Sequence, residues 1–491
     1  MEKTRREIMD RVYLTYLPAK KFKTGCLSAQ FITPLRRETA SCGALLPLVL
    51  QRGTMRCPDI QQLSAAMDQL YGAQINPTIR KRAECQCIGF VASVMDDSFA
   101  PRGEKLLEPT AALLGELLLD PVTRNGRYLP EYVDSERANL LDSIRSVRND
   151  KRDWADLRLL QEMCRDEPYG VSRLGDETAA AAINNQKLHV YSQGMMSASR
   201  LELFYCGSAP ITRVEDALLE AFAALPRGAA RDPQPPRRVD APAQPRVIRE
   251  AMDVTQGKLS MGFRCGTDDV PAMLLANLLF GGTSNSKLFL NVREKLSLCY
   301  YASSNYVRSK GILTVSSGIE SADYQRALDE ILHQLQEVRD GHWEPWELEG
   351  ARSTMRSALA SLPDSQGVLP VHVLPRDGIE ALIFQQDIED FILVLHFFLI
   401  GIGFHADVSK SVNRWPNPYS GFHAGTNLYR FPHFQNVLLL EQFFDNRLDL
   451  SSGELLINRC QVGNKLIWVM PDFIQLIAVR SEEHTSELQS Q

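Results

Sequence analysis

The feature that most constrains this fold is a proline-rich stretch near the middle of the chain. Residues 227–246, RGAARDPQPPRRVDAPAQPR, contain five prolines and one large apolar side chain, Val239. Proline fixes the backbone and removes a hydrogen-bond donor, so this stretch predicts an extended, semi-rigid linker. A chain of 491 residues has the length for two or three domains. The linker therefore predicts that the segments on either side form separate cores.

The two segments repeat a similar order of elements. Alternating apolar residues predict strands, and apolar residues at three- and four-residue spacing predict helices. Strands followed by a block of helices are typical of an α+β fold, and the repeated order indicates a weak internal duplication. We therefore predict two related α/β rolls, each an antiparallel sheet packed with helices. Before the linker we predict strands in 11–33, 73–93 and 201–205 and helices over 41–51, 58–70, 103–119, 130–147, 153–165 and 214–224. After it we predict strands over 247–253, 258–265, 301–307 and 312–317 and helices over 272–279, around 293, 324–339 and 345–359.

The most informative stretch of the second segment is 281–301, GGTSNSKLFLNVREKLSLCYY. Gly281 and Gly282 predict a flexible turn before an amphipathic helix. Arg293 on that helix and Tyr300 at its exit are seven residues apart. A guanidinium and a phenol aimed into one cleft can hold a peptide carbonyl or stabilise an oxyanion. The alternative is a surface arginine and a tyrosine at the edge of the core.

This stretch resembles the second domain of insulinase-type (M16) zinc peptidases, in which a glycine-rich turn precedes S-x-L-F-x-x-V-R-E-K-x-x-L-x-Y. The resemblance implies that Arg293 and Tyr300 contact the backbone of a peptide substrate near the scissile bond. It also implies a fold of paired rolls, which agrees with the predicted organisation over about residues 10–367.

Active members of that family carry His-x-x-Glu-His on the first long helix. Two histidines at i and i+4 bind zinc, and the glutamate acts as general base on the metal-bound water. Aligning the motif by its trailing Lys-Gly-Thr with residues 52–54 places the three key positions at Ala44, Pro47 and Leu48. None of these side chains binds zinc or transfers a proton.

The fourth functional position, a glutamate on a later helix, aligns with Ser143. Asp142 is adjacent, but one residue turns a side chain by about 100° around a helix. Before residue 368 the only histidines are His189, His333 and His342, and no two of them lie four residues apart. We therefore predict a pseudopeptidase that binds no metal and needs no cofactor.

The loss of the zinc ligands beside the retained Arg293 and Tyr300 suggests a role in trans. In two-roll members of the family, the Arg–Tyr pair of one chain reaches the zinc site of another. The resemblance implies a non-catalytic subunit of an M16 heterodimer whose partner is an active peptidase subunit and whose ligand is a peptide. The alternatives are a purely structural module and an isolated peptide-binding protein.

Net charge and cysteine content bear on the binding partners and the location of the protein. A net charge of −6 and a pI near 5.9 argue against nucleic acid or an anionic membrane as partner. The ten cysteines include no C-x-x-C pair, and Cys85 and Cys87, two apart on a strand, are expected to fill a core. The longest apolar run, 391–403, is too short to span a bilayer. The first residues lack the apolar stretch of a signal peptide, so we expect a cytoplasmic protein.

The composition changes after about residue 367. Eleven of the 20 phenylalanines and six of the nine histidines lie beyond this point. The last residues, 480–491, resemble a translated sequencing adapter, so we expect 368–491 to be a chimeric or frame-shifted join. The alternative is a genuine third domain. The predicted domains are thus 1–226, a first roll with a degenerate zinc site; 227–246, the linker; 247–367, a truncated second roll; and the doubtful tail.

Overall fold

The structure is a computed structural model, and it divides into two compact units, Met1–Leu399 and Ile400–Gln491. It describes residues 4–231, 237–267, 269–361 and 364, and the backbone of 460–462 and 465–467. In the second unit these are the strands Cys460–Val462 and Lys465–Ile467, which pair antiparallel. The predicted tail, 368–491, otherwise lies outside the described residues, and everything below concerns the first unit.

Residues 4–231 contain eight strands and eight α-helices. Short polar side chains cap the first turn of several helices. The Asp59 carboxylate accepts a hydrogen bond from the Gln62 N–H at 2.8 Å, and the Asn184 side-chain oxygen accepts one from the Lys187 N–H. In chain order the elements are β1 (Thr4–Met9), β2 (Val12–Pro18), β3 (Thr24–Pro34), α1 (Ala40–Leu50), α2 (Ile60–Gln69), β4 (Gln74–Arg82), β5 (Cys85–Met95), α3 (Leu107–Leu119), β6 (Thr123–Arg124), β7 (Arg127–Tyr128), α4 (Pro130–Ser146), α5 (Lys151–Met163), α6 (Glu177–Ala181), α7 (Asn185–Ala198), β8 (Arg200–Gly207) and α8 (Ile211–Ala221).

The main sheet has six strands in the order β1-β2-β8-β3-β5-β4. Four of its five pairs are antiparallel, but β2 and β8 run parallel, so the predicted antiparallel sheet is in fact mixed. The reason is that β8 returns to the sheet after the long helical segment α3–α7. A connection of that length lets two strands lie side by side in the same direction.

One face of the six-stranded sheet carries the largest core. Leu27, Phe31 and Phe90 from β3 and β5 pack there against Leu45 of α1 and Leu114 of α3, and all five are buried. From Cys85 to Phe90, the residues on both faces of β5 are buried, which explains why this strand reads as an almost unbroken apolar run. Cys85 and Cys87 are buried on this strand, as their spacing predicted.

Between α8 and β9 (Gly257–Arg264), the described residues form neither helix nor strand. The predicted strand over 247–253 is therefore wrong. Its apolar residues are exposed, with 68% of Val247 and 51% of Ile248 open to solvent. An extended segment becomes a strand only by pairing its backbone with a neighbour, and 247–253 has no paired neighbour among the described residues.

The residues after 256 form a smaller sheet with a core of its own. Its three strands lie in the order β10-β11-β9 and all pairs are antiparallel. The core includes Phe280, Leu288, Val315 and Ile331, which come from four different elements. After β9, the elements in chain order are α9 (Val270–Phe280), a π-helix (Leu288–Lys295), β10 (Cys299–Val307), β11 (Ile312–Ile319), α10 (Tyr324–Arg339) and α11 (Pro345–Ser361).

Helix α5 covers the opposite, polar face of the three-stranded sheet. The Ser260 hydroxyl on β9 donates to the Asp156 carboxylate at 2.6 Å, and the Arg152 guanidinium donates to the Ser303 hydroxyl at 3.1 Å. Burial raises the pKa of Asp156, against the opposing effect of its serine partners. A helix from the N-terminal half thus serves as the cover of the second sheet.

A buried ion cluster also joins the two sheets. Lys310, in the turn between β10 and β11, has no exposed side-chain surface. Its Nζ lies 2.5 Å from the Glu84 carboxylate beside β5 and 2.7 Å from the carboxylate of Glu167, which also pairs with Arg264. Burial alone would raise the pKa of Glu167, but hydrogen bonds from Arg264 and Lys310 outweigh it and hold the pKa below its usual value.

The observed fold is thus a mixed α/β arrangement in which sheets pack against helices. Among the described residues, no helix combines the length and the apolar character needed to cross a bilayer.

Candidate functional site

The glycine turn before the π-helix is required by close packing. A Cβ added to Gly281 would lie 2.7 Å from three atoms: Leu288 Cδ1 and the backbone nitrogen and hydroxyl of Ser304. The Ser304 N–H donates to the Gly281 carbonyl at 3.0 Å, so the turn is tied directly to β10. Gly282 lies close to Leu278 and Asn277 in the same way. The predicted turn is present, and Gly281 within it is also a point where two backbone segments touch.

Arg293 lies on the π-helix that follows this turn. Leu288 and Val292 are buried and fix the helix on the second core, whereas 35% of the Arg293 side chain is exposed. Its guanidinium lies over the Phe289 ring, 4.6 Å from the centroid, and 3.3 Å from the Glu294 carboxylate. The side chain is therefore held at the surface by one ring and one charge.

Tyr300 lies at the start of β10 and is 58% exposed. Its hydroxyl donates to the Glu320 carboxylate at 3.1 Å. The strand register shifts between Cys299 and Tyr301, so a β-bulge occurs at Tyr300. Burial raises the pKa of the Cys299 thiol, and the charge of Arg293 opposes that rise. Arg293 is thus close enough to act electrostatically on the residue next to Tyr300, although its direct contacts differ from those of Tyr300.

The positions aligned with the zinc motif lie where α1 faces α4. Ala44 and Pro47 are buried on α1, Leu48 is half-buried, and Ser143 is exposed on α4. The Ser143 hydroxyl donates to the Asn139 carbonyl of its own helix at 2.8 Å. Three hydrocarbon side chains and a hydroxyl do not fit the nitrogen, sulfur and carboxylate donors that Zn²⁺ takes.

The polar contact between these helices is an ion pair. Arg52, just after α1, lies 2.9 Å from the Glu136 carboxylate of α4 and stacks over the Tyr132 ring at 4.8 Å. An arginine and a glutamate in contact stabilise the packing of α1 on α4 but supply no metal site. Among the described residues, no group of three or more His, Cys, Asp or Glu side chains could hold a metal ion.

Sequence reasoning missed the immediate surroundings of the two candidate residues. Glu320 contacts Tyr300 across twenty residues, and no spacing rule in the sequence links them. Phe289 is different, because it precedes Arg293 by four residues and so lies on the same face of the helix. That contact was predictable from the helical period.

Comparison with known proteins places this chain among peptidase homologues. Residues 182–355 match the family model described as "Peptidase M16 inactive domain". A "Probable inactive metalloprotease YmfF" from Bacillus subtilis is 33% identical over 350 residues, which cover 70% of this chain and 82% of that protein. An "Uncharacterized zinc protease YmxG" from the same organism is 22% identical over 195 residues, or 39% of this chain and 46% of that protein.

Solved structures agree with this placement. A conserved protein from Enterococcus faecalis is 25% identical with a TM-score of 0.67, covering 74% of this chain and 86% of that one. A peptidase M16 inactive domain from Pseudomonas fluorescens has a TM-score of 0.61 at 17% identity, covering 80% and 90%. The identity to the Bacillus relative, the matching family model and these folds show that the chain belongs to the insulinase-type (M16) metallopeptidase family, as an inactive homologue.

Proposed function

We propose that this protein is the non-catalytic subunit of an M16-type peptidase heterodimer. In this role it contributes Arg293 and Tyr300 to the zinc site of an active partner and forms part of the wall of the peptide chamber. The observation that carries the proposal is a contrast within the chain. The positions for cutting are filled by Ala44, Pro47 and Leu48, whereas the positions for holding a substrate keep an arginine and a tyrosine that both reach solvent.

The chemistry of these two side chains suits a peptide backbone. The guanidinium of Arg293 offers several N–H donors in a fixed plane, and the phenol of Tyr300 offers one O–H. Both can point at a carbonyl oxygen that becomes negative when a nucleophile attacks it. Their present acceptors, Glu294 and Glu320, are surface carboxylates. Because surface ion pairs and hydrogen bonds contribute little free energy, a substrate carbonyl can replace these carboxylates as the acceptor.

The same proposal extends to domain organisation and location. We propose that 1–226 and 247–367 are two homologous rolls, that 227–246 is their proline-rich tether, and that the protein acts in the cytoplasm. We also propose that 368–491 is a chimeric join. Resequencing the source DNA across codons 360–380 tests that join, since an uninterrupted genomic reading frame there would contradict it.

The test of the trans contribution is co-expression with an M16 subunit that carries an intact His-x-x-Glu-His motif. We expect Arg293→Ala and Tyr300→Phe each to lower kcat/KM for peptide cleavage by about 100-fold, the usual cost of losing one oxyanion donor. Recovery of the heterodimer in a pull-down should be unchanged, because both side chains reach solvent and neither belongs to the second core.

Two matched controls separate this effect from general damage. Arg356 is an exposed arginine that, like Arg293, pairs with one glutamate, Glu349 at 2.8 Å. Tyr71 is another exposed tyrosine whose hydroxyl donates to a glutamate, Glu104 at 2.7 Å. Arg356→Ala and Tyr71→Phe should leave cleavage within about twofold of wild type. Equal activity of all four variants would contradict the proposal.

The second candidate is a structural or peptide-binding module without a part in proteolysis. The observation that favours it is that Arg293 and Tyr300 already have acceptors on their own chain. Under this function, a pull-down would recover an assembly without peptidase activity, and Arg293→Ala would change nothing in it.

A further inference from the structure

The π-helix that carries Arg293 changes form along its length. Its first turn closes with an ordinary α-helical bond, from the Leu290 N–H to the Ser286 carbonyl at 2.9 Å. Its last turn closes with a wider one, from the Leu296 N–H to the Asn291 carbonyl at 3.1 Å, which spans five residues instead of four. A wide turn of this kind is rare, and it occurs frequently at functional sites.

The width of the last turn decides where Arg293 points. A wide turn holds one residue more than an α-helical turn, and one residue corresponds to about 100° of rotation about the helix axis. Relaxation to a regular α-helix would therefore rotate Arg293 by up to about 100° and change its direction relative to Tyr300. Just beyond the helix, Ser297 has a left-handed conformation, with a φ of 52°, that is unfavourable for a residue with a Cβ. Contacts from outside the helix are needed to keep both features in place.

The first such contact is a buried ion pair at the N-terminal end of the helix, the Lys287 pair. Lys287 immediately precedes the helix and Glu347 lies on α11, and the two residues are only 9% and 8% exposed. The Lys287 Nζ lies 3.1 Å from the Glu347 carboxylate, which also accepts the Glu344 N–H at 2.7 Å. A second donor thus fixes the carboxylate at the start of α11. Because a buried charge without its partner is costly, Lys287 is held at this one point.

The second contact is a side-chain hydrogen bond in the wide turn itself, the Asn291 pair. The Asn291 amide donates to the side-chain oxygen of Gln334 on α10 at 2.8 Å, and Gln334 is buried. The Gln334 amide in turn donates to the Glu330 carboxylate at 2.8 Å. Asn291 is also the residue whose carbonyl accepts the wide backbone bond. Its backbone and its side chain are therefore both fixed, two residues before Arg293.

These polar contacts do something that the apolar side of the helix does not. Leu288 and Val292 bury the helix in the second core, but the burial of apolar surface has no direction and tolerates a rotation. A hydrogen bond weakens steeply when its angle changes. The Lys287 pair and the Asn291 pair therefore fix the rotation of the helix against α11 and α10.

We propose that the Lys287 pair and the Asn291 pair are positioning contacts for Arg293. Their side chains touch no substrate. They keep the last turn of the π-helix wide, so that the Arg293 guanidinium faces the same substrate oxygen as the Tyr300 hydroxyl. This inference rests on the proposed function and deepens it, because it assigns the alignment of the two donors to contacts made by α10 and α11.

The experiment measures peptide cleavage by the heterodimer with an active M16 subunit. Lys287→Met together with Glu347→Gln removes both charges and keeps an acceptor for the Glu344 N–H, so no unpaired charge remains buried. Asn291→Ala removes one donor and leaves Gln334 with its other partner. We expect each variant to lower kcat by at least about tenfold with KM changed by less than about threefold, because a transition-state contact is misplaced while the rest of the peptide site is intact.

A double-mutant cycle separates positioning from a general structural role. Both variants are repeated in a chain that also carries Arg293→Ala. If the two pairs act through Arg293, they should lower kcat by no more than about a further twofold there, because the side chain that they align is gone. Damage unrelated to Arg293 would lower kcat by the same factor in both backgrounds.

The matched control neutralises an ion pair far along the chain from the π-helix. Arg52→Met together with Glu136→Gln removes the partly buried pair between α1 and α4 and should leave kcat within about twofold of wild type. Urea midpoints of each chain alone show that it is folded. Should the doubly substituted Lys287 variant fail to assemble with the partner, Asn291→Ala carries the test, since it leaves no charge buried.

The outcomes distinguish this inference from the proposed function beneath it. Full activity of Arg293→Ala would overturn the proposed function, and the positioning contacts with it. If Arg293→Ala lowers kcat but neither pair variant does, the positioning inference alone is overturned. Losses that multiply with the loss caused by Arg293→Ala overturn it too, because the two pairs then act elsewhere.

Discussion

The six-stranded and the three-stranded sheet begin with the same order of elements but differ in burial. In β3 the side chains of Leu27, Ala29 and Phe31 are all completely buried. Its counterpart is β9, which is likewise followed by two helical elements and a hairpin whose second strand pairs with it. In β9, every residue is only half-buried. The local patterns are equally strand-like, so the difference arises from what lies beside each strand. The comparison teaches that a repeated local order does not by itself supply a repeated core, because the covering strand comes from far along the chain.

The largest expected effect comes from the cluster that joins the two sheets. Lys310→Met leaves the buried carboxylates of Glu84 and Glu167 without their shared cation, and we expect a loss of about 3–5 kcal/mol in the free energy of unfolding. Chemical denaturation followed by tryptophan fluorescence measures it.

The same change tests whether the two sheets unfold together. The wild type should show one transition, and the variant should show the three-stranded sheet unfolding first. Lys295→Met, at an exposed lysine, is the control and should be neutral within about 0.5 kcal/mol. A Lys310 variant as stable as this control would break the view that the cluster couples the sheets.

A smaller effect separates the two counterpart strands. Leu27→Ala in β3 should cost about 2–5 kcal/mol, because the side chain is fully buried and leaves a cavity. Leu259→Ala in β9 should cost about 1 kcal/mol, since that site is only half-buried. Urea denaturation midpoints measure both. If the two variants lose equal stability, Leu259 is as well packed as the interior of the large sheet.

The smallest effect concerns the polar cover of the three-stranded sheet. Burial raises the pKa of Asp156 above its unfolded value, so the folded protein holds this proton more tightly. Its contribution to stability is therefore greatest at low pH and declines as pH rises from the unfolded pKa through the raised one. Asp156→Asn should remove this decline and gain relative stability at pH 7. Thermal melts from pH 4 to 7 measure this pH dependence, and Asp142→Asn, at an exposed position of α4, is the control. Parallel pH curves for the wild type and Asp156→Asn would contradict the prediction.

Much of the fold was predictable from local patterns. The helices α1, α3, α10 and α11 and the strands β3 and β5 occur within a few residues of their predicted positions, because each has a clear period. Strand β1, Thr4–Met9, was missed since its sequence, TRREIM, has three adjacent charged residues and no alternation of apolar and polar residues. It is held at the sheet edge by contacts such as Arg5 with Glu202, 3.0 Å apart but 197 residues away in sequence. No local pattern contains that information.

The candidate site was also predictable only in part. The replaced zinc positions follow from residue identity alone, and the structure adds that α1 is buried around nearly its whole circumference. The surface positions of Arg293 and Tyr300 could not be derived from spacing, because they depend on a π-helix and a bulge, neither of which leaves a periodic signature. Their proposed role remains a prediction that the substitutions above test.

The contact at Gly281 has a consequence for how mutational screens of this protein would be interpreted. The turn fixes the spacing between the π-helix and β10 at the minimum that two backbones permit. A methyl group at residue 281 would push apart the π-helix and β10, on which Arg293 and Tyr300 lie, without altering either side chain. In the heterodimer proposed above, a screen scored on peptide turnover would then rank Gly281 beside Arg293 and Tyr300, although this glycine acts only as a spacer.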